Sequence, residues 1–82
     1  MIDVRSDEEW AEGHIPNAIH LSVDVLRDRM AGAVPDQQTP VVVYCAGGVR
    51  SARAARILTE LGYQHVENLG GLDEARQKLG VK

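Results

Sequence analysis

Val41-Val42-Val43-Tyr44-Cys45-Ala46-Gly47-Gly48-Val49-Arg50-Ser51 is the stretch from which the fold of this chain can be read. Its apolar opening shows no polar alternation, as expected of a strand in the middle of a parallel sheet, buried on both faces. Small residues then form a tight loop, and a helical pattern opens at Arg50-Ser51. Cys45, the only cysteine, stands at the turn between strand and helix. In such a turn successive backbone N–H groups can point inward as an anion-binding nest. The helix N-terminus behind it adds partial positive charge. A thiol held there ionises more readily than a free one, and the thiolate is the reactive form. Gly47 and Gly48 suit a plain turn, and equally a close approach of backbone to ligand.

The same alternation extends in both directions. Met1-Ile2-Asp3-Val4 reads as a short buried strand. Ser6 and Glu9 have capping-box spacing, which predicts a short helix to Glu12, ended by Gly13. Pro16-Asn17 breaks the chain before a second strand, Ala18-Ile19-His20-Leu21. Ser22 is placed to cap a helix over residues 23–33, with Val23, Leu26 and Met30 on one face. Residues 35–40 form a polar loop. Beyond the cysteine, a helix is predicted over residues 51–61, with Ala54, Ile57, Leu58 and Leu61 as its apolar stripe and Gly62 as its stop. A fourth strand over residues 65–69, a tight Gly70-Gly71 loop and a terminal helix over residues 72–79 complete the pattern. Strands alternating with helices imply an α/β fold, a small parallel sheet of about four strands with helices on both faces. Ligands of such sheets bind at the carboxyl ends of the strands, where Cys45 and Gly70-Gly71 can face one pocket.

The 82 residues suit one domain spanning residues 1–82. A chain this short buries about two-thirds of its unfolded surface, so its stability is modest. There is no Phe, and Trp10, Tyr44 and Tyr63 are the only aromatic residues of this kind, so the core is aliphatic. One cysteine makes no internal disulfide and no cysteine-rich zinc framework. His14, His20 and His65 lack metal-ligand spacing. A net charge of −3 argues against nucleic acid as partner. No apolar stretch approaches the roughly 18 residues of a membrane span. No metal, no organic cofactor, no membrane and a monomeric state are expected.

Asp3-Val4-Arg5, Glu8-Glu9-Trp10, Gly13-His14-Ile15-Pro16-Asn17-Ala18, Val42-Val43-Tyr44-Cys45 and Gly70-Gly71 follow in an order that resembles rhodanese-like domains, the single-cysteine sulfurtransferases. The resemblance covers nearly the whole chain and looks strongest toward small phage-shock-like bacterial members. It implies a parallel α/β sheet and a persulfide on Cys45, cradled by Ala46, Gly47, Gly48, Val49 and Arg50. Three departures stand out. The strand and helix that precede Asp-Val-Arg in most members are absent, which bears on stability. Ala46 replaces a charged residue, which bears on thiosulfate preference. Leu72 replaces a Trp, which bears on packing. The chain reads as cytoplasmic, or as periplasmic if an upstream leader has been removed, as in the phage-shock-like relatives.

The chemistry implied is covalent catalysis in two halves. Cys45 takes the outer sulfur of thiosulfate, and cyanide or a thiol removes it. The partners are thus a small anionic sulfur donor and a thiophilic acceptor. Inward N–H groups and the Arg50 guanidinium can hold a dianion without an acid–base residue. Arg50, Arg53 and Arg56 run along a helix start, where cations oppose the macrodipole, as at a site built for anions. Arg50 is read as the ligand of the donor's anionic end, and Arg56 as the i+4 partner of Glu60. Ser51 either caps the helix or donates to the anion. Asp3 and Arg5 are read as a structural ion pair, His14 as a hydrogen-bonded loop histidine and Trp10 as core. Against these stand a buried, inert Cys45, a non-catalytic persulfide carrier or interaction module, and a cysteine phosphatase or arsenate reductase. The last has five residues between Cys and Arg, whereas four separate Cys45 from Arg50.

Overall fold

The computed structural model describes residues 1–81. Strands and helices alternate throughout: β1 (Ile2–Asp3), α1 (Asp7–Ala11), β2 (Ile19–His20), α2 (Val23–Ala33), β3 (Val41–Cys45), α3 (Val49–Glu60), β4 (Val66–Gly71) and α4 (Leu72–Leu79). The four strands form one sheet in the order β2-β1-β3-β4, and every neighbouring pair is parallel. The chain therefore moves one way from β1 to β2, then reverses and crosses to β3 and β4. The reversal point lies between β1 and β3, where an open α/β sheet leaves a crevice at its carboxyl edge.

Strand β3 fixes the two cores through its alternating side chains. Val41, Val43 and Cys45 join Ile2, Val4, Leu26 and Met30 on the face covered by α2 and α3, where Ala54, Ile57 and Leu58 close the layer. Tyr44 points the other way and meets Ile15, Leu69 and Ala75, with Val42 and Leu72 packed against them. This second core is small, and the aromatic ring of Tyr44 supplies much of its volume. Right-handed crossovers demand such a division, since a reversal of direction moves the connecting helix to the opposite face.

Several boundaries differ from the sequence expectation. Helix α3 starts at Val49 rather than Ser51, with Gly48 as its N-cap at φ +103°. Strand β4 runs through Gly70-Gly71 and leads straight into α4, so no free loop separates them. The reason is pairing: Gly71 lies opposite Cys45 after a register shift that follows Val43. Ser22 stands before α2 but makes no side-chain cap bond. Ser6 does cap α1: the Glu9 N–H donates to its hydroxyl, and the Glu9 carboxylate accepts the Ser6 N–H. Trp10 is not core. It is half-buried, stacked between His14 at 3.4 Å and His20 at 4.9 Å between ring centroids. No helix among the described residues is long and apolar enough to cross a membrane.

Candidate active site

Cys45 ends the central strand β3 with only 1% of its surface exposed. Its sulfur is nonetheless met by polar groups: the Gly48 N–H donates to Sγ at 2.9 Å. The inward turn of that amide follows from Gly48's left-handed backbone, a conformation that a residue with a Cβ rarely adopts. Burial pushes the thiol pKa up. The Ser51 hydroxyl and N–H and the Gly48 and Gly47 amides outweigh it, holding the thiol below its usual 9.0. Hydrogen bonding to the charged form has overcome desolvation here.

Ser51 is fully buried in the first turn of α3. It does not cap the helix, because Gly48 occupies that position. Its hydroxyl donates to the Gly48 carbonyl at 3.0 Å and lies 3.4 Å from the Gly70 carbonyl. A hydroxyl has one hydrogen, so the same group can instead turn that hydrogen to a sulfur anion. Ala46, Gly47 and Val49 are exposed along the rim, and Val49 is 84% exposed.

The far wall is the β4–α4 junction. The Leu72 N–H donates to the Ala46 carbonyl at 3.2 Å. A Cβ on Gly71 would stand 2.6 Å from that carbonyl oxygen, closer than packing allows. Gly71 is thus what lets the two carboxyl ends touch. Gly71→Ala is expected to push the 46–48 backbone away and cost about 1–3 kcal/mol, the usual range for overpacking. A urea melt checks the stability. Alkylation of Cys45 by iodoacetamide, slower at fixed pH, checks the loss of the inward amides.

Arg50 does not stand free. Its Nη1 and Nη2 donate to Glu9 Oε1 and Oε2 at 2.7 and 2.9 Å, a two-pronged pair linking α3 to α1. The Arg50 guanidinium first, then the Ser6 N–H, hold the Glu9 carboxyl at about 2. Sequence reading placed Glu9 only in the α1 capping box and missed this second role. The Arg56–Glu60 pair is also corrected: Glu60 accepts from Arg27 of α2 at 2.6 Å. Arg53 and Arg56 line a groove between α2 and α3 with Asp24, Arg27 and Glu60, which shares no residue with the cysteine loop.

Asp3 and Arg5 form a buried pair at the end of β1, 2.7 Å between Arg5 Nη2 and Asp3 Oδ2. The same Nη2 donates to the Gly13 carbonyl at 2.6 Å. His14 is a loop residue, its Nδ1 3.2 Å from the Trp10 carbonyl. Among the described residues no group of three His, Cys, Asp or Glu side chains is placed to hold a metal ion.

Comparison with known proteins gives a consistent result. Residues 1–78 match the family model described as "Rhodanese-like domain". The thiosulfate sulfurtransferase PspE of Escherichia coli strain K12 is 45% identical over 73 residues, covering 89% of this chain and 70% of that protein. The thiosulfate sulfurtransferase GlpE of Coxiella burnetii is 41% identical over 69 residues, covering 84% of this chain and 63% of that protein. Among solved structures, a rhodanese with anions from E. coli superposes with a TM-score of 0.86 at 45% identity, covering 89% of this chain and 86% of that one.

Proposed function

The chain belongs to the rhodanese-like domain family, and we propose that it is a sulfurtransferase working through a persulfide on Cys45. The Cys45 thiolate attacks the outer sulfur of thiosulfate. A bond forms between the two sulfurs, the donor's sulfur–sulfur bond breaks, and sulfite leaves with the electron pair. Cyanide or a thiol then attacks the outer sulfur of the persulfide and releases the Cys45 thiolate. The single observation that carries this reading is the Gly48 N–H aimed at a sulfur whose thiol is held below its usual pKa.

Each half needs stabilised negative charge and no proton donor. The amides of Ala46, Gly47, Gly48, Val49, Arg50 and Ser51 and the start of α3 supply that environment. Burial of Cys45 fits the same scheme. A sulfur–sulfur bond is about 2 Å long, so loading carries the reactive atom from the floor of the loop to its rim. There a cyanide or small thiol can reach it. The reaction calls for no metal or organic cofactor, and the protein acts as a monomer. With four residues between Cys45 and Arg50 the ring suits one added sulfur better than a phosphate.

The test is intact mass after incubation with thiosulfate, followed by thiocyanate release on adding cyanide. A gain of one sulfur atom, removed by cyanide, is expected; an unchanged mass overturns the reading. The pH dependence has a definite sign. Below its thiol pKa, Cys45 carries a proton and loads in proportion to its thiolate fraction. The loading rate therefore rises with pH and levels off below the pH expected of an ordinary thiol, because the folded protein lowers that pKa. Single-turnover loading across pH 5–11 checks it, and a half-maximal rate at or above about pH 9, that of an ordinary thiol, would contradict the geometry.

A further inference from the structure

We propose that Glu9 determines donor specificity: it holds the Arg50 guanidinium in competition with the anionic end of the sulfur donor, and so turns the site away from doubly charged donors toward singly charged ones. The inference rests on the sulfurtransferase reading of Cys45 and extends it to the charge of the donor.

Arg50 carries the only charged side chain from Cys45 to Ser51, since Ala46, Gly47, Gly48, Val49 and Ser51 are neutral. It stands in the first turn of α3, directly after the cysteine loop, and its pKa is raised chiefly by the hydrogen bonds to Glu9, with a smaller share from the charge at Cys45. Its two terminal nitrogens are both committed to Glu9. Glu9 in turn is fixed from the other side. Its Oε1 accepts the Ser6 N–H at 2.9 Å and the Ser6 hydroxyl at 3.0 Å, so it cannot swing away without opening the start of α1. Guanidinium and carboxylate carry opposite charges 2.7 Å apart and together add no net charge next to the loop, whose own donors are backbone amides and the start of α3.

Donors of different charge meet this rim differently. A dianion gains from an unshared guanidinium, but here it must divide Arg50 with a fixed carboxylate and stand beside that carboxylate's charge. A monoanion is satisfied by the amides, and the neutralised rim costs it less. Thiosulfate and methanethiosulfonate separate the two cases, because a methyl group replaces one anionic oxygen and the transfer is otherwise the same. In both, the Cys45 thiolate bonds to the outer sulfur and the donor's sulfur–sulfur bond breaks. Sulfite or methanesulfinate leaves with the electron pair.

The experiment compares kcat/KM for the two donors, with cyanide as acceptor, in the native protein and in Glu9→Gln. Gln keeps the size and serves the capping box, while removing the charge. The ratio of thiosulfate to methanethiosulfonate kcat/KM is read, so partial unfolding of a variant cancels. The ratio is expected to rise roughly 2- to 5-fold in Glu9→Gln, the range of a partly exposed ion pair. In an Arg50→Gln background the same substitution should raise the ratio by clearly less, because the part of the effect that runs through Arg50 is gone and only the carboxylate's own repulsion remains. A ratio that stays constant or falls in Glu9→Gln, or that rises equally without Arg50, overturns the proposal and leaves the sulfurtransferase reading intact. Failure of thiosulfate to load Cys45 in the native protein overturns the sulfurtransferase reading, and this proposal with it.

Discussion

Cys45→Ser is expected to abolish sulfur transfer while leaving the fold in place. The proposed nucleophile is a sulfur anion, reached at a lower pH than in a free thiol because the Ser51 hydroxyl and the Ser51 and Gly48 amides favour it. A serine hydroxyl in the same position stays protonated, and no base stands beside it to take the proton. Nor is its oxygen a carrier of sulfane sulfur as the thiol is. Removing a nucleophile from a preorganised site costs roughly a thousandfold or more in rate, and here no second cysteine exists to substitute. The packing argument points the opposite way. Serine is nearly the size of cysteine, and its oxygen can accept the same Gly48 N–H. The variant should therefore melt cooperatively, with a midpoint near that of the native chain. Thiocyanate formation reads the activity, and intact mass after thiosulfate reads the loading. Retained thiocyanate production in a folded Cys45→Ser protein would show that the sulfur travels by another route.

The sequence disclosed most about the parts of this protein whose causes are local. The valine run, the thiol and the glycines that follow are consecutive, and together they announce strand, turn and helix start. The Ser6–Glu9 capping box is legible for the same reason, since its partners are one helical turn apart. The errors sit where a tertiary partner overrides the local pattern. The end of β4 reads as a loop because Gly70-Gly71 is a common turn signal. Its actual state is set by Cys45, a residue that precedes it and pairs with Gly71 in the sheet. For Ser51 the sequence leaves two roles open, helix cap or donor to the anion, because serine suits both. The cap is Gly48, because only its left-handed backbone turns the amide toward the sulfur.

The same distinction separates the two halves of the candidate site. Cys45 and its loop could be found from residue type and spacing. The partner of Arg50 could not, because 41 residues separate it from Glu9 and nothing in either helix marks the pairing. The i+4 spacing of Arg56 and Glu60 suggested a local pair, yet the approach of α2 gives Glu60 a different partner in Arg27. Long charged side chains near a surface choose among several opposite charges at little cost. Sequence spacing is therefore a weak guide to them, whereas it is a strong one to buried apolar stripes such as Ala54, Ile57 and Leu58.

Asp3→Ala is expected to destabilise the protein by about 3–5 kcal/mol, the cost of leaving one member of a buried ion pair without its partner. Asp3 is wholly buried and Arg5 is 5% exposed. Three bonds reach the carboxylate from the Arg5 side chain, and the Arg5 N–H adds a fourth at 2.9 Å. Burial alone would raise the Asp3 pKa, but these bonds from Arg5 hold it below the ordinary value. Truncation leaves the guanidinium with the Gly13 carbonyl as its remaining hydrogen-bond partner. That bond anchors the segment that carries Ile15, whose N–H in turn donates to the Tyr44 hydroxyl at 3.1 Å. The damage therefore spreads into the smaller core, around Ile15, Tyr44, Leu69 and Ala75. A domain of this length has a total stability of about 4–12 kcal/mol, so the variant should lose much of it. Asp3→Ala combined with Arg5→Met removes both charges and should recover part of the loss, since a buried pair replaced whole is often close to neutral. Urea denaturation of the single and double variants measures the difference. A double variant no more stable than Asp3→Ala alone would mean that the Gly13 anchor, rather than the stranded charge, dominates the cost.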